Sequence, residues 1–131
     1  MASTIVDRYK DIDISFAKNP KTSDIYTLTD IDAVKRSVKL LILTKFNERP
    51  FHPEIGSAVY SSLFENIGPD TVIVIERSIR DVINNFEPRA RLIKVDVSET
   101  SNPNEIAISV FFYVVNIEEP VSISINLERV R

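Results

Sequence analysis

The sequence predicts an α+β fold: a single domain of two to three helices packed on a C-terminal antiparallel three-stranded meander, with an N-terminal hairpin-like arm. Two periodicities predict it. Apolar residues recur at three- and four-residue spacing between residues 31 and 86, as in helices, and at two-residue spacing between residues 93 and 127, as in half-buried strands. The chain has 131 residues, of which 44% are hydrophobic and 27% charged, as is typical of one globular domain.

The first segment, residues 1–29, is predicted to be the arm, and residues 30–131 the domain. Short alternating segments at 12–16 and 25–28 flank a turn at 18–21 that contains a proline. Strand propensity on both sides of such a turn predicts a hairpin.

Three helices are predicted from apolar stripes and end signals. The first follows Thr29 as N-cap and ends near Thr44, and a short second helix runs from Ser57 through Phe64. The third spans 69–86, because proline suits the first helical position and Pro88 disfavours helical geometry before it. The stripes of the first and third helices consist of Ile31, Val34, Val38, Leu41 and Ile42, and of Val72, Ile75, Ile79, Val82, Ile83 and Phe86.

A rigid loop is predicted between the first two helices, over residues 48–56. Pro50 and Pro53 exclude a helix there and bias the residue before each of them toward an extended conformation. Asn47 is predicted to adopt the left-handed conformation that ends many helices.

Three alternating segments predict the meander. Their core-facing residues are predicted to be Ile93, Val95 and Val97, then Ile106, Ile108, Val110, Phe112 and Val114, then Val121, Ile123, Ile125 and Leu127. The middle strand carries further apolar side chains on its opposite face: Ala107, Phe111, Tyr113 and Val115. A covering loop or arm and a partner contact both explain that second face, and the sequence leaves the two explanations open, as it does the identity of the edge strands.

The composition argues against most enzyme chemistries. Two isolated glycines build neither a dinucleotide-binding turn nor a P-loop, the absence of cysteine excludes a thiolate, and one histidine excludes a two-imidazole site. That histidine, His52, has no nucleophile motif to serve. A pair of carboxylates among Glu54, Glu65 and Glu87 would still suffice for a glycosidase. We predict no catalytic residue, no cofactor, no metal and no small-molecule substrate.

Charge and hydropathy predict neither a nucleic-acid nor a membrane partner. The net charge is −3 with a pI near 5.2, and no apolar run approaches the roughly 20 residues of a membrane span. The N-terminus lacks a charged segment followed by an apolar one, which predicts assembly in the cytoplasm. A local basic run is interpreted as a solvated helix face, because no aromatic residues alternate with its members, Lys35, Arg36, Lys39, Lys45 and Arg49.

The triplet Glu87-Pro88-Arg89 has two interpretations. It is a helix stop, with a proline break and a cation near the carbonyl end. Alternatively it is a recognition element, in which the proline fixes the backbone so that both charges project in fixed directions and arginine offers a planar fork to a carboxylate. The residues alone leave both open.

The order of these elements resembles the phage baseplate wedge family, whose small subunit initiates the contractile tail sheath and has relatives in type VI secretion and other contractile injection systems. The resemblance covers about residues 30–131. Its most specific motifs are the loop Arg49-Pro50-Phe51-His52-Pro53-Glu54-Ile55-Gly56 and the triplet Glu87-Pro88-Arg89, and Leu63-Phe64-Glu65 lies between them in the same order as in the family. Asn47 departs from the glycine common in the family, but it tolerates the same left-handed geometry.

The resemblance implies a non-enzymatic subunit of the virion tail baseplate, assembled in the host cytoplasm. It implies that Glu87, Pro88 and Arg89 contact a helical bundle of the larger wedge subunits. It also implies that the strands at 105–116 and 120–130 template the tail sheath protein by β-augmentation. Two alternatives share the resemblance: a cytoplasmic anti-adaptor of the same fold family and a muramidase-like hydrolase.

Overall fold

The computed structural model of the chain describes residues 10–12, 16–18, 20, 21, 23, 27–63, 65, 68–115 and 117–129. The helices and strands that these residues form are β1 (Lys10–Ile12), β2 (Thr27–Thr29), α1 (Asp30–Leu43), α2 (Val59–Leu63), α3 (Pro69–Phe86), β3 (Ala90–Glu99), β4 (Glu105–Val114) and β5 (Pro120–Glu128). The predicted α+β class is confirmed.

The C-terminal sheet is an antiparallel meander in the order β3-β4-β5. Its inner face is buried along the whole of β4, where every second residue is apolar, and α1 and α3 cover this face. Helix α3 contacts β3 and helix α1 contacts β5. The core therefore lies between one helical layer and one sheet, as the change of period predicts.

The prediction that Ile93 of β3 faces the core is wrong. The register shifts between Leu92, opposite Phe112, and Lys94, opposite Phe111, so that Ile93 is an extra residue with no partner of its own. Ile93 is 45% exposed, and Leu92 packs against the core instead. A β-bulge of this kind reverses the alternation locally, which strict two-residue spacing cannot anticipate.

The two long helices begin and end where their signals predict. Helix α1 follows Thr29, and Asn47 beyond its end has the predicted left-handed backbone, with φ of 64°. Helix α3 has Pro69 in its first turn after the extended Gly68. The short α2 begins at Val59, later than predicted, and the hydroxyl of Ser57 donates a hydrogen bond to the carbonyl of Ile42 at 2.6 Å. Phe64 lies outside the described residues.

The predicted antiparallel pairing in the arm is confirmed for the described residues, but the bounds of its first strand are wrong. Strand β1 ends at Ile12, where the predicted strand begins, and Phe16 has a left-handed backbone with φ of 51°. Strands β1 and β2 pair antiparallel, with Lys10 opposite Thr29 and Ile12 opposite Thr27, and both contact α1. Residues 13–15 and 25–26 of the predicted strands lie outside the described residues. The division at residue 29 stays a prediction.

The proline loop closes back on the end of α1. The amide of Ser57 donates to the carbonyl of Thr44 at 2.9 Å, and the amide of Asn47 donates to the carbonyl of Pro53 at 3.0 Å. Gly56 lies at the closest approach, where an added Cβ would be 2.7 Å from the backbone carbonyl carbon of Lys45. Glycine is needed here because backbone passes against backbone.

We predict that Gly56→Ala destabilises the fold, because neither backbone segment can give way to a Cβ at that distance. The expected loss is about 2 to 3 kcal/mol, as for overpacked interiors, which corresponds to a fall in Tm of about 5 to 10 °C. Gly68→Ala is the control, since an added Cβ there meets nothing within 4 Å, and its effect should stay within about 0.5 kcal/mol. Equal melting curves for the two variants would contradict the close-approach argument.

Candidate functional site

The Glu87-Pro88-Arg89 triplet forms the junction between α3 and β3. Glu87 is the C-cap of α3 and is only 2% exposed. Its carboxylate accepts hydrogen bonds from Nε of Arg89 at 2.7 Å and from Nη2 of Arg89 at 2.9 Å. It also accepts a hydrogen bond from the hydroxyl of Ser37, 50 residues earlier in α1. One carboxylate thus joins two helices to the start of the sheet.

The surroundings of Glu87 keep it ionised. Burial by itself raises the pKa of its carboxyl, but the hydrogen bonds from Arg89 and Ser37 and the charge of Arg89 outweigh burial and hold the pKa below the ordinary value near 4.5. The side chain is therefore an anion at neutral pH, paired inside the protein.

Of the two charges that the recognition interpretation expects to project in fixed directions, that of Glu87 points into the protein. Pro88 is exposed, and the Arg89 side chain is 27% exposed. The surface that the triplet offers to a partner therefore consists of Pro88 and the outer part of the Arg89 guanidinium. Glu87 orients that guanidinium through two parallel hydrogen bonds, which fix its plane.

The three carboxylates that a glycosidase could use are in different situations. Glu87 has a lowered pKa, the opposite of what a general acid requires. Glu54 is exposed beside Nδ1 of His52, at 3.3 Å, and Glu65 is exposed at the end of α2. The described part of the chain contains no group of three or more acidic, histidine or cysteine side chains placed to hold a metal ion.

The sheet topology identifies the strand edges. Strand β4 pairs along its length with β3 on one side and β5 on the other, so the expectation that residues 105–116 accept a further strand is wrong. The sheet ends at β3 and β5, and within the described ranges no strand pairs with the outer edge of either. Among the described strands of this three-stranded sheet, these are the two edges with which an incoming strand can pair.

The two edges differ in how well they suit pairing. Strand β3 carries the bulge at Ile93 and an exposed ion pair between Lys94 and Asp96, at 2.8 Å, and bulges and charges both hinder the addition of a strand. Strand β5 has neither a bulge nor a charged residue between Pro120 and Glu128. Its outer edge is therefore the better acceptor.

The ladder between β4 and β5 shows which backbone groups face that edge. The amide of Arg129 donates to the carbonyl of Asn104 at 2.7 Å, and the register is unbroken from there. Because paired residues alternate in an antiparallel ladder, the residues whose N–H and C=O point away from β4 are the even-numbered ones, Ser122, Ser124 and Asn126.

Part of the predicted basic run lies beside the same edge. Lys35, Arg36 and Lys39 of α1 are half-buried and line a groove of about 350 Å³ with Asp32 and with Ser122, Ile123 and Ser124 of β5. The remaining two cations, Lys45 and Arg49, are exposed at the proline loop. The helical cations are thus the wall of a groove, which spacing within one helix could not indicate.

The second apolar face of β4 remains accessible among the described residues. Tyr113 and Val115 are each 38% exposed, and Phe111 is half-buried. The described strands of the arm contact α1, on the other side of the sheet. This placement favours a partner contact over a cover by those two strands.

Sequence reasoning missed an apolar surface at the proline loop. Phe46 and Val74 are half-exposed and line a groove of about 400 Å³ between the loop and α3, while Phe51 is almost fully exposed. The four consecutive apolar residues 72–75 indicate such a surface in the sequence, because a helix cannot turn four successive side chains toward one core and must expose some of them.

None of the helices in the described ranges combines the length and the apolarity needed to cross a bilayer.

Comparison with known proteins gives one consistent result. The family model of baseplate wedge protein gp25 matches residues 29–117. Baseplate wedge protein gp25 of Enterobacteria phage T4 is 31% identical over 108 residues, covering 82% of this chain and 81% of the phage protein.

Solved structures share the fold. A chain of the anti-feeding prophage baseplate superposes with a TM-score of 0.73 and 23% identity over 85% of this chain and 89% of that one. A candidate tail lysozyme from Geobacter sulfurreducens superposes with a TM-score of 0.68 and 19% identity over 75% of this chain and 89% of that one. At these identities the likeness establishes the fold alone.

We predict that Glu87→Gln lowers the free energy of unfolding by about 3 kcal/mol at pH 7, as for a broken buried ion pair. Because folding lowers the pKa of Glu87, its contribution is complete above the ordinary value near 4.5 and is lost as the pH falls through the lower pKa of the folded state. The gap between wild type and variant should therefore narrow from pH 5 to pH 3 in urea unfolding. The exposed Glu65→Gln is the control, and a gap independent of pH would contradict the ion pair.

Proposed function

The chain belongs to the family of baseplate wedge protein gp25 and is a baseplate wedge protein of a contractile tail, and from that premise we propose its two contacts. The triplet at the end of α3 binds a helical bundle of the larger wedge subunits. The open edge of β5 receives a strand of the tail sheath protein and so initiates the sheath. In this role the protein is a structural component of the virion tail baseplate and not an enzyme.

The observation that carries the proposal is the open edge of β5. The backbone N–H and C=O groups of three alternate residues point to this edge, with no charged residue and no bulge between them. These residues are Ser122, Ser124 and Asn126. Added strands bind through such groups, and their alternate side chains contribute the fit. A chain that remains unpaired usually protects such an edge, which supports a partner that covers it.

The wedge contact is supported by the rigidity of Arg89. The Glu87 carboxylate holds Nε and Nη2, and the backbone carbonyl of Arg89 accepts a hydrogen bond from the amide of Val115 at 2.9 Å. Side chain and backbone are therefore both fixed before binding, which lowers the entropy lost on association.

The ionised state of Glu87 argues against the muramidase-like alternative. A hydrolase of that kind needs a protonated carboxyl near neutral pH. In Glu87 the hydrogen bonds from Arg89 and Ser37 and the charge of Arg89 outweigh the effect of burial and hold the pKa of the carboxyl below its ordinary value. The chain shares its fold with a candidate tail lysozyme, but a shared fold does not supply a protonated catalytic carboxyl.

We predict that Arg89→Lys weakens binding to the wedge subunits about tenfold, because an ammonium keeps the charge beside Glu87 but loses the planar fork. The measurement is co-purification of the tagged variant with the larger wedge proteins of its own particle. Arg91→Lys is the matched control, since Arg91 is exposed two residues further on. If both variants recover the wedge proteins equally and their melting temperatures are unchanged, Arg89 is not part of the interface.

We predict that Ser124→Pro prevents sheath formation while baseplates still assemble. Proline removes the outward N–H of Ser124 but leaves the ladder to β4 intact, since residue 124 does not donate to β4. Ser124→Ala, which keeps the N–H, is the control. Electron micrographs of particles carrying each variant provide the measurement, and normal sheaths on Ser124→Pro baseplates would overturn the role of this edge.

A further inference from the structure

We propose that the groove between α1 and the edge of β5 selects an acidic extended polypeptide segment, with Lys35 and Lys39 pairing with its carboxylates. The inference rests on the proposed pairing function of β5 and specifies the chemistry of the strand that pairs there. The groove is a basic one in a protein whose net charge is −3.

The groove runs along the strand edge and not over one face of the sheet. It is lined by Ile123, whose side chain packs toward the core, and also by Ser122 and Ser124, whose side chains are on the outer face. A groove bounded by both faces of a strand lies at its edge. A chain occupying it meets the outward backbone groups of Ser122 and Ser124 on one side and α1 on the other.

The cations are placed to meet alternate side chains of that chain. Lys35 and Lys39 are one helical turn apart, about 6 Å along the axis of α1, and alternate residues of a strand are about 6.7 Å apart. Both side chains are half-buried, so a carboxylate beside them is less screened by water than at an open surface. Alternate acidic residues in the added strand satisfy this spacing.

A polypeptide fits the groove better than a nucleic acid. The serines offer paired N–H and C=O groups, which an extended peptide matches and a phosphate backbone does not. The acidic Asp32 also lines the groove, and the negative net charge of the chain opposes a polyanion.

The test uses labelled ten-residue peptides of alternating sequence, Val-Glu repeats and Val-Lys repeats, and fluorescence anisotropy on the full chain. At 0.1 M salt the acidic peptide should bind about tenfold more tightly than the basic one. The preference should disappear at 1 M salt, because the Debye length falls from about 10 Å to about 3 Å. Equal affinities at low salt would overturn the proposal.

Reversing the charge of the two lysines tests whether α1 causes the preference for the acidic peptide. The double variant Lys35→Glu, Lys39→Glu should lose about tenfold in affinity for the acidic peptide and gain affinity for the basic one. Arg80→Glu, an exposed cation of α3, is the control and should change neither affinity by more than about twofold. Unchanged acidic-peptide binding by the double variant would overturn the proposal, as would tighter binding of a single-stranded oligonucleotide than of the acidic peptide.

The experiments distinguish an error in the proposed strand pairing at β5 from an error in the proposed preference for acidic strands. If Ser124→Pro abolishes peptide binding but the lysine reversal does not alter it, the edge accepts strands and the acidic preference is wrong. If Ser124→Pro and Ser124→Ala bind the acidic peptide equally, the peptide is not on the edge and the proposed strand pairing is wrong with it.

Discussion

The buried carboxylate of Glu87 is the interaction on which the arrangement of helices and sheet depends. It receives hydrogen bonds from Ser37 in α1 and from Arg89 at the start of the sheet, while its own amide closes the last turn of α3. A charge this deep is tolerated only when every partner is in place, because an unpaired buried ion costs several kcal/mol. The bond network therefore specifies one arrangement of the three elements and penalises others.

That arrangement extends through the sheet to the far edge. The carbonyl of Arg89 accepts from Val115, which sets the register between β3 and β4 at the same end as the ion pair. Near that end of β4, the N–H and C=O groups of the odd-numbered residues then point to β3, and those of the even-numbered residues point to β5. As a result the backbone groups of Ser122 and Ser124 point to the outer edge of the sheet, so that the two contacts we propose lie at opposite edges of one continuous hydrogen-bonded sheet.

The sequence predicts the elements well and the long-range contacts poorly. The end of α1 at Leu43, the left-handed backbone of Asn47 beyond it and the start of α3 at Pro69 depend on neighbours in the chain, and local signals predict all three. The inward turn of Glu87 depends on Ser37, 50 residues away, and the exposure of Ile93 on a shift in pairing that leaves no mark in the alternation. The basic groove likewise needs α1 and β5 to meet, which no spacing within either one encodes.

An open edge such as β5 carries a risk, because two copies of one chain could pair through it. The basic wall beside the edge opposes this outcome. Pairing of β5 with β5 of a second copy would bring the two sets of Lys35 and Lys39 into the same region, where like charges repel, whereas an acidic strand is attracted. The same two lysines then discourage self-association before assembly and favour the intended partner during it, since specificity is a difference between affinities. The edge can thus remain free of the bulges and charges that would block every strand alike.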